Sequence, residues 1–168
     1  MLLETNRFLL RPLDPITDDF SNYLKWMRDV ESNLYISGVK RTFQKDDLLD
    51  YVISKNEASN ALLLGIFDKV SLCHIGNVKL EPIVQNSYAY IGILIGEIGM
   101  RNKGVGFEVI RALVDWAFSE LHLSEIRLGV SRKNAAAIAL YRKLGFNQVQ
   151  VSVNSDDSFE MVILKKTS

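Results

Sequence analysis

The sequence predicts a mixed α/β fold, one mixed sheet with helices on both faces. Short apolar runs bounded by turn residues recur along the chain and read as strands. Between them lie segments with apolar residues at helical spacing. Their order is β-α-α-β-β-β-α-β-α-β-β, which a doubly wound parallel sheet does not give.

Residues 2–11 read as a strand, ended by Pro12. Phe20, Tyr23, Leu24 and Met27 then fall on one helical face. Gly38 marks a loop, and Asp46 to about Asn56 form a second helix with Leu48, Leu49, Val52 and Ile53 inward. Ala61 to Phe67 and Leu72 to Leu80 are strands, the second ended by Pro82. After an Asn86-Ser87 turn, Tyr88 to Ile95 form the strand before a glycine loop. Gly104 to about Leu121 make the long helix, with Ile110, Leu113, Val114, Ala117 and Leu121 along its buried stripe. Glu125 to Val130 follow as a strand. Asn134 caps a helix carrying Ala137, Leu140, Tyr141 and Leu144, and Gly145 stops it. Strands near 147–153 and 159–165 close the chain around an Asn154-Ser155-Asp156-Asp157 turn.

At 168 residues and 48% apolar content, a single domain over 1–168 with a sizeable core is expected. The 20 basic and 20 acidic residues balance, and no basic run points to nucleic acid. Cys73 is the only cysteine, so no intrachain disulfide forms, and its apolar neighbours predict a buried thiol. No apolar stretch approaches the roughly 20 residues of a membrane helix, and Glu4 and Arg7 stand where a signal peptide would be apolar. A cytoplasmic location is the expectation. No His, Cys or carboxylate cluster has metal-ligand spacing, so no metal is expected.

The most informative segment is Arg101-Asn102-Lys103-Gly104-Val105-Gly106. It follows the apolar run Tyr90 to Ile95 and opens a helix. The first N–H groups of a helix lack intrahelical partners and carry partial positive charge, so strand, glycine loop and helix together form an anion cradle suited to a pyrophosphate. A triphosphate loop needs lysine and a hydroxyl after its glycines, but Phe107 and Glu108 stand there. A dinucleotide loop needs a third glycine where Val109 stands, and more sheet than the remaining chain supplies.

The pattern left is [QR]-x-x-G-x-[GA]. It resembles the coenzyme A pyrophosphate loop of the GCN5-related N-acetyltransferases, the GNAT superfamily. A second segment, Asn134 through Tyr141 to Gly145-Phe146, is similar to that family's N-x-x-A-x-x-[LF]-Y-x-x-x-G-F motif at the family's spacing. Glu4 to Leu13, Tyr23 to Asp29 and His74 to Leu80 resemble the ribosomal-protein-alanine acetyltransferase type. The resemblance implies the acetyltransferase fold, which matches the predicted order element for element, and acetyl-CoA as co-substrate. It also implies contacts from the backbone of Ile93, Leu94 and Ile95 to the pantetheine arm. The pyrophosphate would lie on the loop from Arg101 through Asn102, Lys103, Gly104, Val105 and Gly106 to Phe107. Many relatives dimerise, so a homodimer stays open.

Tyr141 matches the motif tyrosine that the family places near the cofactor sulfur. A phenol is protonated at neutral pH and is able to donate to a thiolate as it forms. On its apolar stripe it also reads as a core tyrosine. Asn134 reads as an N-cap and, by resemblance, as a cofactor contact. The base is open: Glu81 and Glu97 lie at strand ends near the expected cleft, while His74 and His122 read as structural. The acceptor is a primary amine of a small molecule, with an amino sugar or a nucleotide-linked amino sugar in view. Arg28, Tyr35, Lys40, Arg41 and Lys79 are candidates for its lining. A protein N-terminal amine is the alternative acceptor, and a CoA-binding sensor without turnover is the alternative of another class.

Overall fold

The structure, a computed structural model, describes residues 2–29, 44–149 and 157–166. Its strands are β1 (Leu3–Glu4), β2 (Phe8–Arg11), β3 (Leu62–Asp68), β4 (His74–Val84), β5 (Tyr88–Ile95), β6 (Glu125–Ser131), β7 (Asn147–Gln148) and β8 (Ser158–Leu164). Its helices are α1 (Ser21–Arg28), α2 (Lys45–Glu57), α3 (Val105–Glu120) and α4 (Ala135–Leu144). The strands form one sheet in the order β1-β2-β3-β4-β5-β6-β8-β7. Every neighbouring pair is antiparallel except β5 and β6, which are parallel and joined through α3. This is the expected mixed sheet with helices on both faces.

Side chains alternate across the strands and build two cores. On one face, Leu10, Ile66, Val78, Ile91, Ile126 and Leu128 meet Val109, Ile110, Leu113 and Ala117 of α3 and Leu144 of α4. On the other, Leu63 and Phe67 meet Tyr23 and Trp26 of α1 and Leu48 and Val52 of α2. Burying one such aliphatic side chain is worth about 1.5–3 kcal/mol, so the sheet is clamped on both sides.

Several boundaries differ from the sequence reading. Residues 2–11 are not one strand. Thr5 N–H donates to Phe8 O at 2.9 Å, and the chain doubles back so that Leu3 pairs with Leu10. Pro82 does not end β4, which runs on to Val84 through an irregularity between Leu80 and Ile83. A proline's missing N–H costs nothing there. Cys73 is exposed, not buried. It ends the turn after β3, where the Asp68 carboxylate accepts from Ser71 N–H at 2.7 Å and Leu72 takes a positive φ of 58°. Ile53 is 38% exposed, because α2 meets the core that holds Phe67 and Leu63 through Leu48 and Val52, with Leu49 and Tyr51 beside them. Leu121 is half-buried at the end of α3. The loop at Gly38, residues 150–153 of the expected strand, and the turn residues Asn154 to Asp156 lie outside the described residues.

Candidate active site

β5 and β6 pair over three positions only, Tyr88 with Glu125, Ala89 with Ile126 and Tyr90 with Arg127. Beyond Tyr90 the two strands separate, although β5 continues to Ile95 and β6 to Ser131. β5 stays joined to β4 throughout this stretch, with Gly76 opposite Ile95 and Lys79 opposite Gly92. Gly96 N–H donates to Ile75 O at 3.0 Å. Strand N–H and C=O groups point alternately to opposite neighbours, so Gly92 and Leu94 face β4. Ile91, Ile93 and Ile95 turn their polar groups into the gap. Ile95 O already accepts from Arg101 Nε at 3.0 Å. The gap is therefore a wedge with a free sheet edge on one wall, a ready partner for an extended chain of amides.

The wedge leads to the glycine loop. Glu97 opens a short turn over Ile98–Met100, and Arg101 N–H donates to Ile98 O at 3.1 Å. Asn102 and Gly104 take positive φ of 57° and 76°, and Gly104 is the N-cap of α3 without a capping side chain. The N–H groups from Asn102 to Phe107 find no acceptor among the described residues. They gather where the helix dipole is positive. The two glycines serve different ends. Gly104 permits the left-handed backbone. Gly106 permits close helix packing, because a Cβ there would stand 3.0 Å from Leu140 Cδ2 on α4.

A strap from the N-terminus holds this loop. Glu108, in the first turn of α3, accepts from Thr5 Oγ1 at 2.6 Å, Arg7 N–H at 2.8 Å and Arg7 Nε at 2.7 Å. Arg7 Nη1 also donates to Lys103 O at 3.0 Å. Burial pushes the Glu108 carboxyl up, but the hydrogen bonds from Thr5 and Arg7 outweigh it and hold it below the usual range. Nothing local in the sequence marks Arg7 and Glu108 as partners, because they lie about a hundred residues apart. With the folded pKa depressed, this stabilisation is present above the unfolded value of about 4.3 and is lost as pH falls through the lower folded one. Glu108→Gln is expected to cost roughly 1–2 kcal/mol at neutral pH, a few degrees of melting temperature. In melts run as a pH series, the gap to wild type should close below pH about 4.

Tyr141 lies on α4, half-buried against the core that includes Ile93 and Ile95. Its ring centroid is 5.8 Å from that of Phe146. Burial raises the phenol pKa, so the group is protonated at neutral pH, and its hydroxyl has no hydrogen-bond partner among the described residues. Asn134 caps α4, its side-chain oxygen accepting from Ala137 N–H at 3.1 Å.

The other candidates are occupied elsewhere. Glu81 is held by Lys55 and by Lys79, the latter at 3.2 Å. Burial raises its carboxyl, but the two lysines outweigh that and lower it. Glu97 is exposed and accepts from Gly99 N–H in its own turn. His74 Nε2 lies 2.9 Å from both Gly76 O and Asn77 Oδ1, and its ring stacks on Phe67. Burial lowers its pKa, so it is neutral packing. His122 is exposed at the end of α3. Arg28 donates to Gln44 at 3.2 Å. Tyr35, Lys40 and Arg41 lie outside the described residues. Among the described residues, no His, Cys, Asp or Glu group would hold a metal, and no helix is long and apolar enough to cross a membrane.

Residues 7–147 match the acetyltransferase (GNAT) domain family. The chain is 24% identical over 159 residues to an N-acetyltransferase 9-like protein of Caenorhabditis briggsae, covering 86% of this chain and 76% of that one. Human alpha/beta-tubulin-N-acetyltransferase 9 is 28% identical over 97 residues, 56% of this chain and 45% of that protein. The Vibrio cholerae spermidine N-acetyltransferase, solved with CoA and spermine, superposes with a TM-score of 0.80 at 23% identity, covering 94% and 95% of the two chains. With a parallel pair that parts after three residues, a loop of unpaired amides at a helix start, and a family match across most of its length, this chain belongs to the GNAT family of N-acetyltransferases.

Proposed function

We propose that this chain is one N-acetyltransferase domain that moves the acetyl group of acetyl-CoA to the primary amine of a small molecule. The observation that carries the reading is the open edge of β5 running into a loop whose amides have no acceptor. The amides of Asn102, Lys103, Gly104, Val105, Gly106 and Phe107 hold the pyrophosphate, and Arg101 braces the strand end through Ile95 O. Ile93 and Ile95 pair with the pantetheine arm, and Leu94 between them keeps the strand on β4. That arrangement points the thioester toward the apex of the wedge. Tyr141 protonates the leaving thiolate, and Asn134 holds the start of its helix.

The small-molecule acceptor is favoured by the spermidine enzyme of the same fold. The protein-acceptor reading draws on the ribosomal-protein-type segments at 4–13 and 74–80 and on the tubulin acetyltransferase among the relatives. A screen of polyamines, amino sugars and N-terminal peptides, read by release of free thiol, separates the two. Coenzyme A at a hundred times its dissociation constant should stabilise the protein by about 2.7 kcal/mol, roughly 5–10 °C in a thermal melt at this size. No shift and no heat of binding at millimolar coenzyme A would overturn the enzyme reading.

A further inference from the structure

The face of the sheet away from α3 and α4 carries a polar cluster at the apex of the wedge. Tyr88 and Tyr90 of β5, Glu125 and Arg127 of β6, and Glu160 of β8 all alternate onto it. The Tyr90 hydroxyl donates to Glu160 Oε1. Arg127 Nε donates to Glu125 Oε1 at 2.7 Å, and its guanidinium lies 5.0 Å from the Tyr88 ring centroid. Arg127 is thereby neutralised by Glu125. One oxygen of Glu160 is held by Tyr90, and the other, Oε2, is without a partner among the described residues.

Space lies beside Glu160 in the ladder. Gly129 is directly opposite Glu160 in the β6–β8 ladder, and nothing stands within 4 Å of where a Cβ would be. Carried past its last pair, the β5–β6 register brings Gly129 level with Gly92. A Cβ on Gly92 would meet only the Lys79 side chain, at 3.6 Å. Two positions without side chains thus flank the wedge just beyond its apex, on the face where Glu160 is turned.

We propose that Glu160 is the carboxylate that receives the acceptor's ammonium group and takes its proton, with Tyr90 as the residue that positions it. This rests on the acetyl-transfer reading above and names the acceptor subsite within it. A primary amine arrives charged, since an alkylammonium has a pKa near 10.4. Enclosed between the thioester and the sheet, an ammonium–carboxylate pair loses solvation, which favours the neutral pair. One proton passes from the ammonium to Glu160. The freed nitrogen lone pair attacks the thioester carbonyl, the C–N bond forms and the C–S bond breaks. The departing thiolate takes the Tyr141 proton, and the second proton lost from nitrogen restores the phenol. Glu160 returns its proton to water, so each turnover releases one proton with the amide and the thiol. Glu81 and Glu97 do not compete, since two lysines hold the first and a turn amide the second.

The test is Glu160→Gln, a change of charge at nearly constant shape, assayed with propylamine as a minimal primary amine. At pH 7 kcat/KM for propylamine should fall by at least 100-fold. The variant depends on amine that is already neutral, so its deficit should shrink about tenfold per pH unit up to pH about 10. Coenzyme A affinity by calorimetry and the melting temperature should match wild type. Tyr90→Phe should slow turnover several-fold with the same coenzyme A affinity. Rates within threefold of wild type for Glu160→Gln, or a deficit constant across pH, would overturn the assignment. Loss of coenzyme A binding in wild type would instead remove the reading beneath it.

Discussion

Acetyl transfer by Tyr141→Phe is expected to run about 10²–10⁴-fold slower than by wild type, with coenzyme A affinity unchanged. The expectation follows from what surrounds the phenol. Its hydroxyl is committed to no described residue, and burial keeps it protonated. In the proposed site, a thiolate expelled beside it would otherwise wait for a proton from solvent. Phenylalanine keeps the ring contact with Phe146 at the same place on α4 and removes only the donor. A loss in kcat with an unchanged binding isotherm therefore isolates proton donation, whereas a packing role predicts a lower melting temperature with a nearly unchanged rate. An unchanged rate would remove Tyr141 from the mechanism and leave it as a core side chain.

Gly76→Ala is expected to damage the wedge through the backbone itself. A Cβ at this position would stand 2.2 Å from the carbonyl oxygen of Leu94 and 3.1 Å from the Ile95 Cα. Both are backbone atoms of β5, the strand proposed as the cofactor wall. No rotamer relieves the clash, so β4 and β5 must part where β5 is already free of β6. A cost of about 3 kcal/mol or more follows, roughly 6–12 °C of melting temperature for a domain of this size. Coenzyme A binding should weaken with it, because the same displacement moves Ile93 and Ile95. Gly129→Ala is the comparison for stability: nothing lies within 4 Å of its new methyl, and its melting temperature should stay within about 2 °C of wild type. Equal melting temperatures for Gly76→Ala and wild type would show that the sheet adjusts at no cost.

Elements with a clear local signal were legible in the chain. β5 runs over Tyr88–Ile95 as its apolar run implies, α3 starts one residue after Gly104, and α4 sits between its Asn134 cap and a left-handed Gly145. Local readings failed where a distant partner decides. The break at 5–7 is held by Glu108, and β4 passes Pro82 because β5 pairs on both sides of it. Cys73 reads as apolar among its neighbours, yet the Asp68 turn lifts it off the sheet.

The sequence by itself determined the order of elements, the glycine loop at a helix start and the tyrosine motif, because capping, periodicity and turn chemistry act within a few residues. Only the tertiary structure decided where β5 leaves β6, that Gly106 is needed for the contact with Leu140, and that Tyr90 and Glu160 meet across 70 positions. Those are consequences of strand order and register. Period-two alternation within one strand says which residues share a face, but not which strand lies beside it.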